Sequence, residues 1–192
     1  MKHDVSDTGS TAVAGRGGDK SRSGKSEAEK QEMQKKMEAA CTPGPAHKAL
    51  EALVGDWKAE VKCWMEPGGS PEVSQGTAKA SWTLKGHFLE EEFKGEMMGK
   101  PFNGRTLMGY DNIKQTFKSV WVDDMNTAMF TSEGKGENGN KVITLEGTSS
   151  CPMTGRTDIQ AKLVLRVNGP DQHVLEMFND GAKAMEITYI RK

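Results

Sequence analysis

The residues best suited to chemistry are acidic side chains that alternate with aromatic ones in extended segments. Phe117, Ser119 and Trp121 share one face of a predicted strand, so Asp123 lies on that face as well. A carboxylate beside aromatic rings inside a cavity has a raised pKa and can orient a polar group of a ligand. The alternative is that Asp123 ends the strand and caps the following turn, as aspartates at strand ends often do.

Three consecutive glutamates form the second acidic feature. Because side chains of a strand alternate between its two faces, Glu90, Glu91 and Glu92 occupy both faces, and at least one of them points inward. An inward carboxylate needs a partner, and Arg105 in the next predicted strand is the candidate, because an unpaired buried charge is costly. The pair of Glu92 and Arg105 is either a clamp for the polar head of a ligand or a structural salt bridge.

Motifs of the common catalytic and metal-binding classes are absent from the sequence. There is no Gly-x-Ser-x-Gly, no phosphate-binding loop, no dinucleotide fingerprint and no zinc-ligand spacing. The cysteines Cys41, Cys63 and Cys151 lie far apart, and we interpret them as reduced thiols. We therefore expect neither a metal nor a cofactor, although a barrel enzyme can assemble its site from single residues of separate strands.

The charge balance bears on partners and location. Lys plus Arg number 26 and Asp plus Glu 27, so a net charge of −1 gives no electrostatic reason to expect nucleic acid or an anionic membrane as a partner. No apolar run approaches the roughly 20 residues of a membrane-spanning helix. The segment Met1–Asp7 lacks the apolar core of a signal peptide. We expect a cytoplasmic protein, and the sequence gives no indication of its oligomeric state.

The chain divides into three predicted parts. Residues 1–25 consist mainly of small and charged residues, which cannot offset the entropy of ordering, and they predict a disordered tail. A capping-box pattern at Ser26-Glu27-Ala28-Glu29 opens a peripheral helix over residues 26–41. Its thin apolar stripe favours a linker helix over an interaction arm. Residues 45–192 form one domain.

A short amphipathic helix opens that domain, and strands follow it. Apolar residues recur at i, i+3, i+4, i+7 and i+8 between Ala46 and Val54, and Gly55 ends the helix. From Trp57 onward the period switches to two, and turn residues separate about ten strands. Tight turns favour an up-and-down meander, which removes its edges by closing. We predict an all-β fold, a single closed antiparallel up-and-down β-barrel with a short helix across one end.

Several short blocks of this sequence resemble a known family. In chain order they are Pro43-Gly44-Pro45-Ala46-His47, Leu50-Glu51-Ala52-Leu53-Val54-Gly55-Asp56-Trp57, Gly109-Tyr110-Asp111-Asn112, Trp121-Val122-Asp123, Glu133-Gly134 and Ile187-Thr188-Tyr189-Ile190-Arg191. Over residues 43–192 the chain is similar to the domain-of-unknown-function 1579 family, a calycin-like group related to lipocalins, fatty-acid-binding proteins and nitrobindins. The resemblance implies a calycin-like barrel without established chemistry. It also implies that Trp57 seals one barrel end and that Arg191, or else Arg166, packs on it.

The nitrobindin branch of that superfamily raises the question of haem. In nitrobindin-like proteins a late-strand histidine binds haem, and His173 is the residue that could serve here. The final predicted strand, where this ligand is expected, reads Met185-Glu186-Ile187-Thr188-Tyr189 and contains no histidine. We therefore expect that the protein does not bind haem.

Together these observations favour binding of a small, largely apolar molecule inside the barrel. A barrel of eight to ten strands encloses room for about one small ligand. Small residues at predicted inner positions indicate an interior that side chains do not fill; they are Gly76, Ala78, Ala80, Gly95 and Gly104. The predicted contacts are Glu92, Arg105 and Asp123 for polar groups, with Trp82 and Trp121 as apolar walls. Two alternatives are an isomerase or hydrolase with Asp123 or Glu92 as general base, and a structural or interaction protein with a filled barrel.

Overall fold

The structure, a computed structural model, describes residues 25–192. The predicted tail over residues 1–25 therefore falls almost entirely outside the described residues. The helices are α1 (Glu27–Cys41) and α2 (Pro45–Ala49), with 3₁₀ turns at Leu50–Leu53 and Leu84–Gly86. The strands are β1 (Gly55–Cys63), β2 (Glu72–Thr83), β3 (Phe88–Met97), β4 (Lys100–Asp111), β5 (Thr116–Asp123), β6 (Phe130–Glu137), β7 (Val142–Ser149), β8 (Ile159–Gly169), β9 (Gln172–Asn179) and β10 (Ala182–Arg191).

The strands form a closed antiparallel barrel. Each strand pairs with its neighbours in the sequence, and β1 also pairs with β10, from Trp57 opposite Arg191 to Cys63 opposite Met185. This pairing leaves no strand edge free within the barrel, which is the physical reason for a meander to close. The predicted all-β up-and-down barrel is confirmed.

Helix α1 is fastened to the barrel at its C-terminal end. The helix opens with a capping box between Ser26 and Glu29, and none of its residues is buried. The side-chain amide of Asn112, in the β4–β5 turn, donates hydrogen bonds to backbone carbonyl oxygens of Ala39, Ala40 and Thr42, the last over 2.8 Å. These carbonyls lack partners within the helix, so Asn112 satisfies them and holds the helix end.

The end helix is shorter and tighter than the sequence pattern predicts. Its α-helical part ends at Ala49, and the next turn, Leu50–Leu53, is 3₁₀, a common conformation at helix ends. Leu50 and Leu53 are buried and cover one end of the barrel. Gly55 is already the first residue of β1 and has a φ of +139°. A Cβ atom there would collide with the Arg191 guanidinium, so the close approach requires glycine.

Trp57 and Arg191 close the same end. The Trp57 indole is completely buried and donates a hydrogen bond to the Leu53 carbonyl oxygen over 2.8 Å. The Arg191 guanidinium lies 4.2 Å from the centre of the Trp57 ring and donates to the Val54 carbonyl oxygen over 2.9 Å. The prediction that Arg191 packs on Trp57 is confirmed, whereas Arg166 forms an ion pair with Glu176 on the outer face.

The interior contains two separate apolar clusters. One surrounds Leu50 and Leu53 of the end helix, and the other contains Trp57 and Phe93. Leu175 packs against both clusters. Within residues 25–192 no helix has the length and apolar character that crossing a bilayer requires.

Candidate functional site

Of the three consecutive glutamates, Glu91 is the one that points into the barrel. It is paired in register with Ala80 of β2 and Thr106 of β4. The Tyr189 hydroxyl of β10 lies 3.5 Å from Glu91 Oε1, at the outer limit of a hydrogen bond. Because β1 and β2 separate β10 from β3, this contact crosses the interior. Glu91 and Tyr189 are therefore the centre of the candidate site.

The Glu91 carboxylate lies deep in the barrel without a counter-ion. Burial raises the pKa of Glu91 from 4.5 to about 7, and the Tyr189 hydroxyl acts in the opposite direction. Among the described residues no basic side chain forms an ion pair with Glu91. As a residue, Glu91 is only partly buried. It is partly protonated near neutral pH.

Three other polar side chains that point into the barrel, on β4, β5 and β6, carry uncharged hydroxyl groups. Ser119 of β5 and Ser132 of β6 are buried, and their hydroxyl oxygens lie 2.9 Å apart. Thr106 lies beside Glu91 and is only partly buried. The contact between the two serines uses one of their two hydroxyl hydrogens, so one serine keeps a donor, and Glu91 and Thr106 also retain hydrogen-bonding capacity.

A stack of buried rings leads from Tyr189 to the helix end of the barrel. The His173 ring stacks on Tyr189, with centroids 4.2 Å apart and planes 15° apart, and meets the Trp57 ring edge-on at 4.4 Å. Burial and the nearby Arg191 guanidinium lower the pKa of His173 from 6.5 to about 3, so the ring is neutral. His173 Nδ1 has no hydrogen-bond partner within residues 25–192. Burial and the Glu91 carboxylate raise the pKa of Tyr189 well above 10.0.

Neither His173 of β9 nor His87, which directly precedes β3, fits a haem site. Only 2 % of His173 is exposed, and Tyr189 and Trp57 pack against it, so a porphyrin has no access to its ring. The nitrogen atoms of His87 lie 2.7 Å from the Leu84 carbonyl oxygen and 2.9 Å from that of Cys41, outside the barrel. The resemblance to nitrobindins thus does not extend to an accessible iron ligand in this structure.

Asp123 both lies beside an aromatic ring and caps the turn after its strand, which are the two alternatives that the sequence left open. It follows Trp121 on the same strand face, and its Oδ2 accepts a hydrogen bond from the Trp121 indole over 2.9 Å. Its Oδ1 accepts from the backbone N–H groups of Met125 and Asn126, over 3.0 and 3.2 Å, and so caps the turn after β5. Both carboxylate oxygens are therefore engaged within the protein.

Aromatic rings fill the space beside several glycines that were expected to leave the interior open. Trp121 packs with Phe93 and Phe102, at centroid distances of 6.5 and 6.1 Å. Cβ atoms at the glycines facing this cluster would collide with the Trp121 or Phe93 ring; these glycines are Gly76, Gly95 and Gly104. The expectation for these three positions is thereby corrected, whereas Ala78 and Ala80 remain small inner residues.

Glu92 and Arg105 lie on the outer face. They are directly paired between β3 and β4, and Arg105 Nη2 lies 2.6 Å from Glu92 Oε1. Their side chains are 45 % and 61 % exposed, so Arg105 does not partner an inward glutamate as the sequence suggested. Together with Asn103 and Asp124 they border an open groove of about 390 Å³ on the outside of β3–β5.

Trp82 occupies an inner position at the helix end. Its indole donates a hydrogen bond to Glu51 Oε2 of the 3₁₀ turn over 2.6 Å, and its ring packs against the cluster around Leu50. Trp82 therefore helps to hold the end helix across the barrel.

Glu91 and Tyr189 are not among the ligand contacts predicted from the sequence, although the sequence contains a signal for each. Glu91 lies midway between Leu89 and Phe93, and this apolar alternation indicates the inner face. Tyr189 precedes Arg191 by two residues, so it shares the face of the arginine that the family resemblance places on Trp57.

Comparison with solved structures finds other barrels. Rv2717c from M. tuberculosis is similar with a TM-score of 0.57 and 17% identity, over 79% of this chain and 99% of that chain. A redesigned β-barrel, b11L5F_LGL, has a TM-score of 0.42 and 14% identity over 75% and 95% of the two chains. Another, mFAP0 bound to DFHBI, has a TM-score of 0.38 and 15% identity over 73% and 99%. At these identities the likeness to Rv2717c shows the fold alone.

Comparison of the sequence itself identifies the family. No curated protein matches the chain. The model of the family described as "Protein of unknown function (DUF1579)" matches residues 42–191, which is most of the chain and includes every strand of the barrel. The protein therefore belongs to the DUF1579 family of proteins of unknown function.

Proposed function

We propose that the barrel binds one small, largely apolar molecule in its interior, beside Glu91 and Tyr189. The observation that carries this proposal is the inward Glu91 carboxylate, which has no ion-pair partner among the described residues and belongs to a residue that is only partly buried. An unpaired carboxylate in a barrel interior costs folding free energy. A ligand that hydrogen-bonds to Glu91 would offset this cost.

The surroundings of Glu91 fit a site for a small molecule. Leu163, Leu175 and Met177 occupy inner positions of β8 and β9, yet each is only partly buried. The neighbour of Glu91 on β2 is Ala80, whose methyl group takes up little space. Small-molecule sites are mostly apolar with a few polar groups that fix the ligand's orientation. In this proposal Glu91 and Tyr189 are those polar groups.

The contacts expected from the sequence take different positions in the proposed site. Trp121, with Phe93 and Phe102, forms an aromatic wall on the β3–β5 side, and its partner Asp123 holds it in place. Trp82 is a wall at the helix end. Glu92 and Arg105 face outward, and Glu91 takes the place that the sequence suggested for Glu92.

The end opposite the helix is the proposed entrance. In an up-and-down barrel the β1–β2, β3–β4, β5–β6 and β7–β8 connections share one end. Exposed methionines of these connections and the adjoining strand ends are Met65, Met97, Met98, Met125, Met129 and Met153. Thioether side chains are flexible and adapt to apolar molecules of different shapes. An apolar rim of this kind would admit a ligand that the helix end excludes.

The experiment that tests the proposal combines identification with titration. Native mass spectrometry of the purified protein would reveal a co-eluting small molecule, and tryptophan fluorescence would follow titration with a panel of lipophilic compounds. We expect saturable binding of at least one compound. Ala80→Leu, which fills the space beside Glu91, should abolish binding, whereas Ala28→Leu on the exposed face of α1 makes the same change at the surface and should not.

Two results would reject the proposal. If no compound binds and nothing co-elutes, the barrel is a filled structural or interaction protein. If Ala80→Leu binds as tightly as Ala28→Leu, the ligand lies outside the barrel.

A second candidate function is proton-transfer catalysis in the same interior. The Tyr189 hydroxyl is a second polar group within reach of Glu91, and a carboxyl with a pKa of about 7 suits general acid–base catalysis near neutral pH. An isomerase that moves a proton next to a carbonyl group would use Glu91 in this way. Deuterium exchange into apolar ketones tests this function, since exchange that Glu91→Gln does not reduce would reject it.

A further inference from the structure

We infer that the ligand of the barrel interior is an apolar amine in its protonated form and that carboxylic acids are excluded. This inference rests on the proposed binding function and adds the chemical class of the ligand. It follows from the charges and hydrogen-bonding groups that the strand register places inside the barrel.

Beside Glu91 the described residues offer no free cation to an acidic ligand. Among the described residues, the basic side chains at inner strand positions are Arg191, at the helix end, and Lys100, which is exposed at the opposite end where β4 begins. Its guanidinium lies against the Trp57 ring and donates to the carbonyl oxygens of Val54 and Pro170, over 2.9 and 2.8 Å. Arg105, the cation that could have clamped a carboxylate, lies on the outer face. A ligand carboxylate beside Glu91 would therefore meet no positive group among the described residues.

Beside Glu91, the group that the described residues leave unmatched is an acceptor, so a ligand there should supply a hydrogen-bond donor. The donor that reaches Glu91 is the Tyr189 hydroxyl, at 3.5 Å, so the carboxylate oxygens retain free lone pairs. A protonated amine would fill them with charge-assisted hydrogen bonds, which are shorter and stronger than neutral ones. A ligand carboxylate would instead repel Glu91, since two neighbouring carboxylates cannot both remain ionised without cost.

Glu91 should also make amine binding depend on pH. The side chains that face it are Ala80 from β2, Thr106 from β4 and Tyr189 from β10, and none of them is charged at neutral pH. The ionised fraction of Glu91 therefore grows as the pH rises through its own titration, while a simple alkyl amine stays protonated. Amine affinity should rise over this interval, and the affinity of an uncharged analogue should not.

The test compares four compounds with one phenylalkyl skeleton: phenethylamine, phenethyl alcohol, hydrocinnamic acid and propylbenzene. Titration calorimetry with the full-length protein at about pH 8 should show the amine binding at least about tenfold more tightly than the acid. Glu91→Gln should weaken amine binding by about tenfold and leave propylbenzene unchanged. Glu90→Gln is the matched control, because it removes a carboxylate from the adjacent residue on the outer face.

A second variant keeps the inference testable if Glu91→Gln does not fold. Tyr189→Phe removes the hydroxyl next to Glu91 and keeps the carboxylate, so it should bind the amine and still exclude the acid. Acid binding equal to amine binding in the native protein or in this variant would overturn the amine assignment, as would equal losses in Glu91→Gln and Glu90→Gln. In these cases the binding function would stand. If none of the four compounds nor any compound of the lipophile panel bound, both proposals would fall.

Discussion

The Tyr189 hydroxyl lies 3.5 Å from a carboxylate oxygen of Glu91, across the barrel from β10 to β3. Tyr189 is also stacked on His173, which meets Trp57 edge-on, so the inward carboxylate is connected by packed rings to the seal at the helix end. Arg191 covers the far side of this arrangement by packing on Trp57. The last two strands and β1 thus provide a packed frame of rings, and Glu91 of β3 lies against it with unused hydrogen-bonding capacity.

Glu91 should make the protein less stable as the pH rises. Its pKa is 4.5 in the unfolded reference and about 7 in the folded protein, so between these values the folded state binds more protons than the unfolded state. The free energy of unfolding therefore falls over this interval and becomes level above it. The difference between the two pKa values of Glu91 corresponds to a loss of at most about 3 kcal/mol in the free energy of unfolding. In urea denaturation, the free energy of unfolding of Glu91→Gln should no longer fall over this pH interval.

The control for this prediction is Glu90→Gln on the outer face, where Glu90 lies 3.4 Å from Arg105. It should retain the pH profile of the native protein. If both glutamine variants retained the profile, Glu91 would not be the group responsible.

His173 should have the opposite effect in acid. Its pKa is about 3 in the folded protein and 6.5 in the reference state, so the unfolded chain takes up a proton that the folded protein does not. The free energy of unfolding should fall as the pH drops below 6.5, by up to about 1.4 kcal/mol per pH unit. His173→Phe keeps a ring between Tyr189 and Trp57 and removes the unpartnered Nδ1, so its acid profile should be flatter.

Denaturation midpoints at several acidic pH values measure this effect. His87→Phe is the matched control, since it replaces a histidine outside the barrel. If the free energy of unfolding became equally insensitive to acid in both variants, its fall at low pH would be a general effect of a histidine and not a consequence of burying His173.

The barrel was predictable from the sequence, whereas the filling of its interior was not. The alternation that begins at Trp57 and the regular turns determine the strand order, and Gly55 and Arg191 mark the sealed end. Alternation gives the face of a residue but not how far a neighbouring ring reaches. Gly104 therefore suggested empty space, although the Trp121 ring lies over it. The choice between Glu91 and Glu92 depended on register, because three adjacent glutamates carry no pattern of their own.

Gly55→Ala should strongly destabilise the barrel. The residue has a φ of +139°, and a Cβ atom would collide with the Arg191 guanidinium, so the substitution both strains the backbone and displaces Arg191 from Trp57. We expect a loss of about 3 kcal/mol in the free energy of unfolding. Gly99→Ala is the control, because Gly99 also has a positive φ, +74°, but open space around it. An equal loss in the two variants would show that backbone strain, and not the collision, accounts for the effect.

Asn112→Ala should release helix α1 and leave the barrel folded. The Asn112 amide is the donor to three carbonyl groups at the end of a helix that buries none of its residues. Without it, α1 should open locally, because the helix buries none of its residues and, among the described residues, its end keeps the contact of His87 Nε2 with the Cys41 carbonyl oxygen, at 2.9 Å. Hydrogen exchange should accelerate by at least about tenfold in the amides of α1 and remain unchanged in β4 and β5. Asn126→Ala is the control, because it also removes an asparagine from a turn, the one between β5 and β6. Slow exchange in α1 of Asn112→Ala would mean that other contacts hold the helix.

The last prediction concerns haem, which the nitrobindin resemblance brings into question. Since His173 is 2 % exposed and Tyr189 and Trp57 pack against it, hemin added to the purified protein should give no Soret band above that of free hemin. Tyr189→Ala opens the space beside His173, and a band that appeared in this variant alone would show that packing, not the lack of a histidine, excludes the iron. A band in the native protein that His173→Ala abolished would contradict the prediction. In that case the ring stack would have to open in solution, and the interior would be a haem site instead of an amine site.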